Sequence, residues 1–281
     1  MQKSIQKYAA LFVLPALISF AIAFLIPMIM GVALSFFRFT TVLDGRFVGW
    51  ENYRRIFIDR EFINALIFNI RFTIVSMITI NIGAFALALL LTIGLKGTNL
   101  FRTIFFMPNL IGGIVLGWIW NLIINGFLLS RGVTVVSDPK YGFWGLVVLM
   151  NWQNIGYMMV IYIAGIQNIP SELIEAAQID GAGQSTLLGR VIIPSIAPSI
   201  TICTFLTLTS GFRLFDQNLA LTAGDPGKQT EMLALNIFNT FYGRTGFEGV
   251  GQAKAVLFTI LVALIALTQL AFSRRREEEA A

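Results

Sequence analysis

Long apolar runs alternate with short polar segments along this chain. Six runs stand out, at about 9–37, 64–93, 104–125, 143–166, 196–220 and 252–272. Each is as long as the ~20 apolar residues a helix needs to cross a bilayer. An isolated strand in lipid would leave its backbone N–H and C=O groups unpaired, so the pattern predicts helices. The expected fold is an all-α integral membrane protein with six transmembrane helices in one domain, 1–281. Pro15 and Pro27 in the first run and Pro108 near the start of the third predict kinks or boundaries. The polar segment 38–63 has its own helical rhythm, with Asn52, Tyr53, Ile56 and Phe57 set against Arg54, Arg55 and Asp59. It predicts a short amphipathic helix lying on the outer membrane interface.

Composition supports the membrane reading. Apolar residues make up 56% of the chain and charged residues only 12%, and the mean hydropathy is +0.77. No soluble fold has an interior large enough to hide that surface. The net charge of +5 does not imply nucleic acid, because the basic residues flank apolar runs as membrane anchors do. With no histidine and one cysteine, the chain lacks the parts for Ser-His-Asp or Cys-His chemistry, for an internal disulfide, or for the usual zinc sites. Cys203, inside an apolar run, reads as a small packing residue. Lys3, Lys7 and Ala21-Ile22-Ala23 resemble a signal peptide, but apolar sequence continues to Phe37. A retained first helix is expected.

Six helices place both termini on one side. With the termini inside, the inner loops hold Lys3, Lys7, Lys96, Arg102, Arg190 and Arg274 to Arg276. The outer loops hold Arg38, Arg46, Arg54, Arg55, Arg60, Arg71, Arg131, Lys140, Lys228, Arg244 and Lys254. A raw positive-inside count opposes that orientation. The motif in the next loop outweighs it.

The interval 167–198 is polar and rich in small residues. Pro170 and Ser171 mark a helix start, with Asn168 or Ser171 able to cap it. Leu173, Ile174, Ala176 and Ala177 give the helix an apolar face that another protein could approach closely, and Glu172, Glu175 and Asp180 give it polar edges. Gly181 and Gly183 can adopt positive φ and end it in a tight turn. Pro194 and Pro198 stiffen the return into the membrane.

Polar side chains within the apolar runs are costly in lipid and mark candidate solute paths. Trp118 and Asn121 lie in the third run, Asn151, Asn154 and Tyr157 in the fourth, and Thr207 and Ser210 in the fifth, with Gly211 beside them. Hydroxyls, amides and aromatic platforms suit a neutral polyhydroxylated solute. The same residue types also hold membrane helices together, and that role stays open for each of them. Arg213 and Asp216 are spaced to pair on a helix surface.

The loop resembles the EAA loop of ABC importer permeases. Glu175-Ala176-Ala177, Asp180-Gly181-Ala182, Val191-Ile192-Ile193-Pro194 and Pro198 follow that pattern, with Val191 for the usual isoleucine and Leu188 where phenylalanine is common. Phe47-Val48-Gly49-Trp50-Glu51-Asn52-Tyr53, Phe101 to Pro108, Phe215-Asp216-Gln217 and Leu221 to Pro226 resemble the carbohydrate branch of the family. Trp50 departs from a leucine there, and Asp225 from a glycine. The resemblance implies a type I ABC importer permease fold in a bacterial cytoplasmic membrane, with both termini inside. It implies that 167–198 is a cytoplasmic coupling loop, meeting an ATPase through Ser171, Glu172, Glu175, Ala176, Ala177, Asp180, Gly181, Ala182 and Gly183. It implies a second, different permease, two ATPase subunits and an extracellular solute-binding protein as partners. ATP and magnesium would sit on the ATPases, leaving this chain without cofactor, metal or catalytic residue. The alternatives are an importer for glycerol phosphate, phosphate or polyamine, or an ion-coupled carrier. A carrier would need membrane-buried carboxylates, which the apolar runs nearly lack.

Overall fold

The computed structural model describes residues 13–41, 44–94 and 96–280, with side chains through residue 271. Lys3 and Lys7, and the side chains of Arg274 to Arg276, lie outside the described residues. Five helices in the described chain are long and apolar enough to span a bilayer, or six when one bent pair counts as a single span. The contacts divide the chain into two compact units, residues 1–60 with 237–260, and 61–236 with 261–281.

The first unit opens with α1, Val13–Leu34. Its turns widen to a π-helix at Ala21–Leu25, just before Pro27. Proline has no N–H to return to the preceding turn, and a π-bulge is one way a helix absorbs that loss. A two-residue hairpin follows, β1 Phe37–Arg38 against β2 Arg46–Phe47. The apolar periodicity gave no sign of it. In its turn Asp44 accepts from the Thr40 hydroxyl and from the backbone N–H of Thr41, which hold its carboxyl down at about 2. The amphipathic helix is present as α2, Glu51–Ile58, but one face of it is buried in protein. Asn52 donates to the carbonyls of Ser35 (2.8 Å) and Phe37 (2.9 Å), and the Tyr53 and Ser35 hydroxyls lie 2.7 Å apart. Trp50, Phe57 and Ile58 remain exposed.

The second unit holds α3, Arg60–Thr92, α4, Thr98–Phe106, α5, Gly113–Leu128, and α6, Pro139–Gln167. The interfacial turns α7, Ser171–Ile179, and α8, Gln184–Ser195, follow, and then α9, Ala197–Phe212, and α10, Asp216–Leu221. Two further helices follow, α11, Leu233–Gly243, and α12, Glu248–Ala280, each with residues in both units. The core of the second unit gathers Phe72, Ile80, Leu116, Leu146, Met150, Met158 and Leu221. Glycines allow its tightest crossings: Gly156 lies against the backbone of Phe105, and Gly117 against Ala220. Small residues at crossings are the usual means of close packing between membrane helices.

Two expected spans are corrected. The run 104–125 is broken, because a 3-10 turn at Met107–Leu110 carries Pro108 and the chain is extended at Ile111 and Gly112 before α5 begins. The run 196–220 ends at Phe212, and its helix is bent by 70° from α8 at Ile196. Pro198, in the first turn of α9, supplies no N–H there. Arg213 closes α9 and Asp216 opens α10, so the two stand on different elements. No ion pair between them occurs among the described residues.

Lys254, which the sequence placed in a loop, lies within α12 and is wholly buried. Its ammonium donates to Asp59 Oδ2 at 2.7 Å and to Thr240 Oγ1 at 2.8 Å. Replacing one member of a buried pair strands the other charge at a cost of roughly 3 kcal/mol. Lys254→Met should therefore lower the melting temperature of the purified protein well below that of an exposed control such as Arg54→Met. Equal melting of the two variants would contradict the packing described.

Candidate functional site

Helix α7 is the most exposed ordered element of the second unit. Ser171, Glu172, Glu175, Ala176 and Asp180 are exposed, and Ala177 is half-buried. No side-chain oxygen in this helix caps its start; Pro170 sits at the cap with extended backbone, so the expected capping by Asn168 or Ser171 does not occur. Its end is built as anticipated at Gly181. The Gly181 N–H donates to Gln178 O (3.0 Å) and the Ala182 N–H to Ala177 O (2.9 Å), with Gly181 at φ +82. This is a Schellman closure, which places the glycine where a Cβ would strain the backbone. Gly183 is different: at φ −72 and ψ 167 it is extended and starts α8.

The side chains of Glu172, Glu175 and Asp180 make no hydrogen bond or ion pair with other described residues. Between them Leu173 is exposed, and Ile179 is 85% exposed. A short helix that presents apolar side chains among unpaired carboxylates has the composition of a surface that a partner covers. Its inner side is different. Ile174 and Ser171 line a cavity of about 640 Å³ with Leu89, Thr92 and Ile166, so α7 sits over the ends of α3 and α6. Gly165, in the last turn of α6, lies directly against Ser199 in the first turn of α9. The helices entering and leaving the loop are thereby packed together at its base.

The membrane-embedded candidates fall into two groups. Asn151 and Asn154 each donate to a carbonyl one turn back on α6, Val147 (2.8 Å) and Met150 (3.0 Å), and no described partner occupies their amide oxygens. Tyr157 follows on α6, its ring 6.3 Å from that of Phe106. Trp118 is 61% exposed. Ser210 is half-buried without a described hydrogen-bond partner.

The other group is engaged within the chain. Thr207 is buried, donates to Cys203 O (2.8 Å) and accepts from Asn81 of α3 (3.0 Å). Gly211 leaves its space to the Thr73 side chain, and its carbonyl accepts from Asn69 at 3.1 Å. Asn121 donates to Leu221 O at 2.7 Å, fixing α5 on α10. In this chain Thr207, Gly211 and Asn121 therefore join helices. Sequence reasoning overlooked Asn69, Asn81 and Tyr162. Polar residues at one-turn spacing inside an apolar run, as Asn69 and Thr73 are, were the available signal.

Comparison with known proteins adds a second line. The family model described as binding-protein-dependent transport system inner membrane component matches residues 93–278. The "Probable starch degradation products transport system permease protein AmyD" of Thermoanaerobacterium thermosulfurigenes is 42% identical, over 96% of this chain and 94% of its own length. The "Trehalose/maltose transport system permease protein MalF" of Thermococcus litoralis is 31% identical, over 97% and 95%. A chain in the crystal structure of a bacterial alginate ABC transporter, in complex with an alginate pentasaccharide-bound periplasmic protein, shares the fold. That chain has a TM-score of 0.82 at 20% identity and covers 99% of this chain and 98% of its own.

The contact between Gly211 and Thr73 makes a definite expectation. Gly211→Leu forces four carbons into a closed seam between α9 and α3, an overpacking worth about 1–3 kcal/mol. The purified protein should melt at a clearly lower temperature, while Gly189→Leu, at an open position, should melt near the unaltered protein. Unchanged melting of Gly211→Leu would show that the seam is not closed.

Proposed function

The chain belongs to the family of binding-protein-dependent transport system inner membrane components, multi-pass permeases of ABC importers, and we propose that it carries a sugar or oligosaccharide. The observation that carries the mechanism is the exposed surface of α7. Its unpaired Glu172, Glu175 and Asp180, with Leu173 and Ile179 between them, suit docking into a groove of an ATPase subunit. The Schellman closure at Gly181 gives the helix a fixed end. Its inner side faces a cavity lined by the ends of α3 and α6.

The mechanism follows from that rigidity. When the ATPases close on ATP, α7 moves with them as a lever, and the packed ends of α6 and α9 carry the displacement into the bundle. The bundle then opens toward the extracellular binding protein and accepts its solute. Hydrolysis takes place on the ATPases, and this chain supplies no catalytic group. A second permease completes the pathway. Both termini and the 167–198 loop face the cytoplasm in this reading.

The cargo reading rests on the relatives and on the free hydrogen-bonding groups. Names of proteins 42% and 31% identical refer to starch products and to trehalose and maltose. The open amide oxygens of Asn151 and Asn154, with the Tyr157 ring and Ser210, supply neutral donors and acceptors. Such groups can exchange bonds with sugar hydroxyls without holding them too tightly to release.

Two outcomes check these assignments. In the reconstituted transporter, Glu175→Lys or Gly181→Asp should abolish transport and solute-stimulated ATP hydrolysis while membrane assembly persists. Lysine reverses the charge at the docking face, and aspartate puts a Cβ at positive φ. Wild-type rates would remove the coupling role. Asn154→Ala should slow uptake by a few-fold to about tenfold, the loss expected for one hydrogen bond, and unequally among sugars. Equal relative rates with a lowered melting temperature would instead make Asn154 a packing residue.

A further inference from the structure

At the end of the second unit opposite α7 lies an open cavity of about 590 Å³ that the transport reading does not use. Its lining brings together Arg71 of α3 and Lys140 of α6, with Trp144, Phe143, Asn64 and Gln229. No acidic side chain lines it. Two carboxylates lie close by: Glu61 is held by Lys228 at 2.9 Å, and Asp138 caps α6 by accepting from the backbone N–H of Lys140 at 2.7 Å. Neither the Arg71 guanidinium nor the Lys140 ammonium has a described hydrogen-bond or ion-pair partner.

Each cation directly precedes a long uncharged stretch. Residues 72–93, which follow Arg71, contain no charge, and neither do residues 141–167 after Lys140. At 1.5 Å per residue the first stretch is ~33 Å long, about the thickness of the hydrocarbon layer. Arg71 and Lys140 thus mark where lipid tails end and headgroups begin. Tyr141 and Trp144 sit within a turn of Lys140, where interfacial aromatic residues gather. Below the cations the exposed side chains turn apolar: Ile74 on α3, Val148 on α6. Two cations without an ion-pair partner above an apolar strip fit an anion joined to an acyl chain better than they fit a free sugar.

We propose that this cavity binds the phosphodiester headgroup of an anionic phospholipid. The phosphate lies between Arg71 and Lys140, the glycerol hydroxyls reach Asn64 and Gln229, and a tail runs along Ile74 and Val148. Arginine offers two parallel donors to phosphate oxygens, and lysine a point charge. The single negative charge of the lipid would also offset part of the positive charge that a raw positive-inside count sets on the unfavoured side.

The test measures binding alone, so its result does not depend on transport. The complete transporter is placed in phosphatidylcholine bilayers doped with spin-labelled phosphatidylglycerol, and the motionally restricted fraction is titrated. With each cation near the surface contributing ~1 kcal/mol, Arg71→Gln with Lys140→Gln should weaken the association roughly thirtyfold. Arg71→Lys with Lys140→Arg should keep it near the unaltered value, which separates loss of charge from loss of fold. Millimolar inorganic phosphate should fail to displace the lipid. Displacement by phosphate alone would make this a free-anion site and overturn the proposal. So would an unchanged association in the glutamine variant. So would exclusive cross-linking of Arg71→Cys to another protein subunit.

Discussion

One amide in the membrane interior governs the arrangement of the helices around it. Asn81 of α3 accepts from the Tyr162 hydroxyl of α6 at 2.7 Å and donates to Thr207 Oγ1 of α9 at 3.0 Å. In lipid no water is at hand to replace these partners, so an unpaired amide there is expensive. Three helices far apart in sequence are thereby fixed in rotation relative to one another. The surrounding Phe72, Ile80 and Met158 fill the space by packing, which is less particular about rotation than a hydrogen bond is.

That constraint gives the loop its mechanical meaning. Helix α6 leads into α7, and α9 leads away from α8. Asn81 ties α6, through Tyr162 in its last two turns, and α9, through Thr207, to α3, and the Gly165–Ser199 contact holds them to each other at the loop. A push on α7 therefore meets a block of three helices and not a single flexible stem. The carboxylates of Glu172, Glu175 and Asp180 have no role inside that block, which leaves them for contact outside the chain.

Much of this was legible in the sequence. Apolar runs located the spans, since bilayer thickness fixes their length, and the Gly181 stop of α7 followed from glycine's freedom at positive φ. What the sequence hid has physical causes. Pro108 marked the break in the third run, but hydropathy sums over residues, so it does not register that the helix restarts only at Gly113, or that Ile196 and Pro198 bend the fifth. A periodic pattern shows which faces are polar but not what meets them. For Thr207 and Gly211 the sequence left a pathway role and a helix-joining role open, and the contacts with Asn81 and Thr73 supply the second. Lys254 looked like a loop cation because its partner, Asp59, is distant in sequence. The open oxygens of Asn151 and Asn154 remain where the sequence suggested a solute could meet them.

The central claim is that α7 is the surface through which ATP hydrolysis drives this permease. It is tested most directly by a single cysteine in place of Ile179, with Cys203→Ser removing the native thiol. In the assembled transporter a short bifunctional thiol reagent should join residue 179 to the ATPase, with a yield that changes when ATP binds. On intact cells an impermeant thiol reagent should leave residue 179 unlabelled. Labelling from outside, or cross-links that reach only lipid-facing or extracellular partners, would contradict the account.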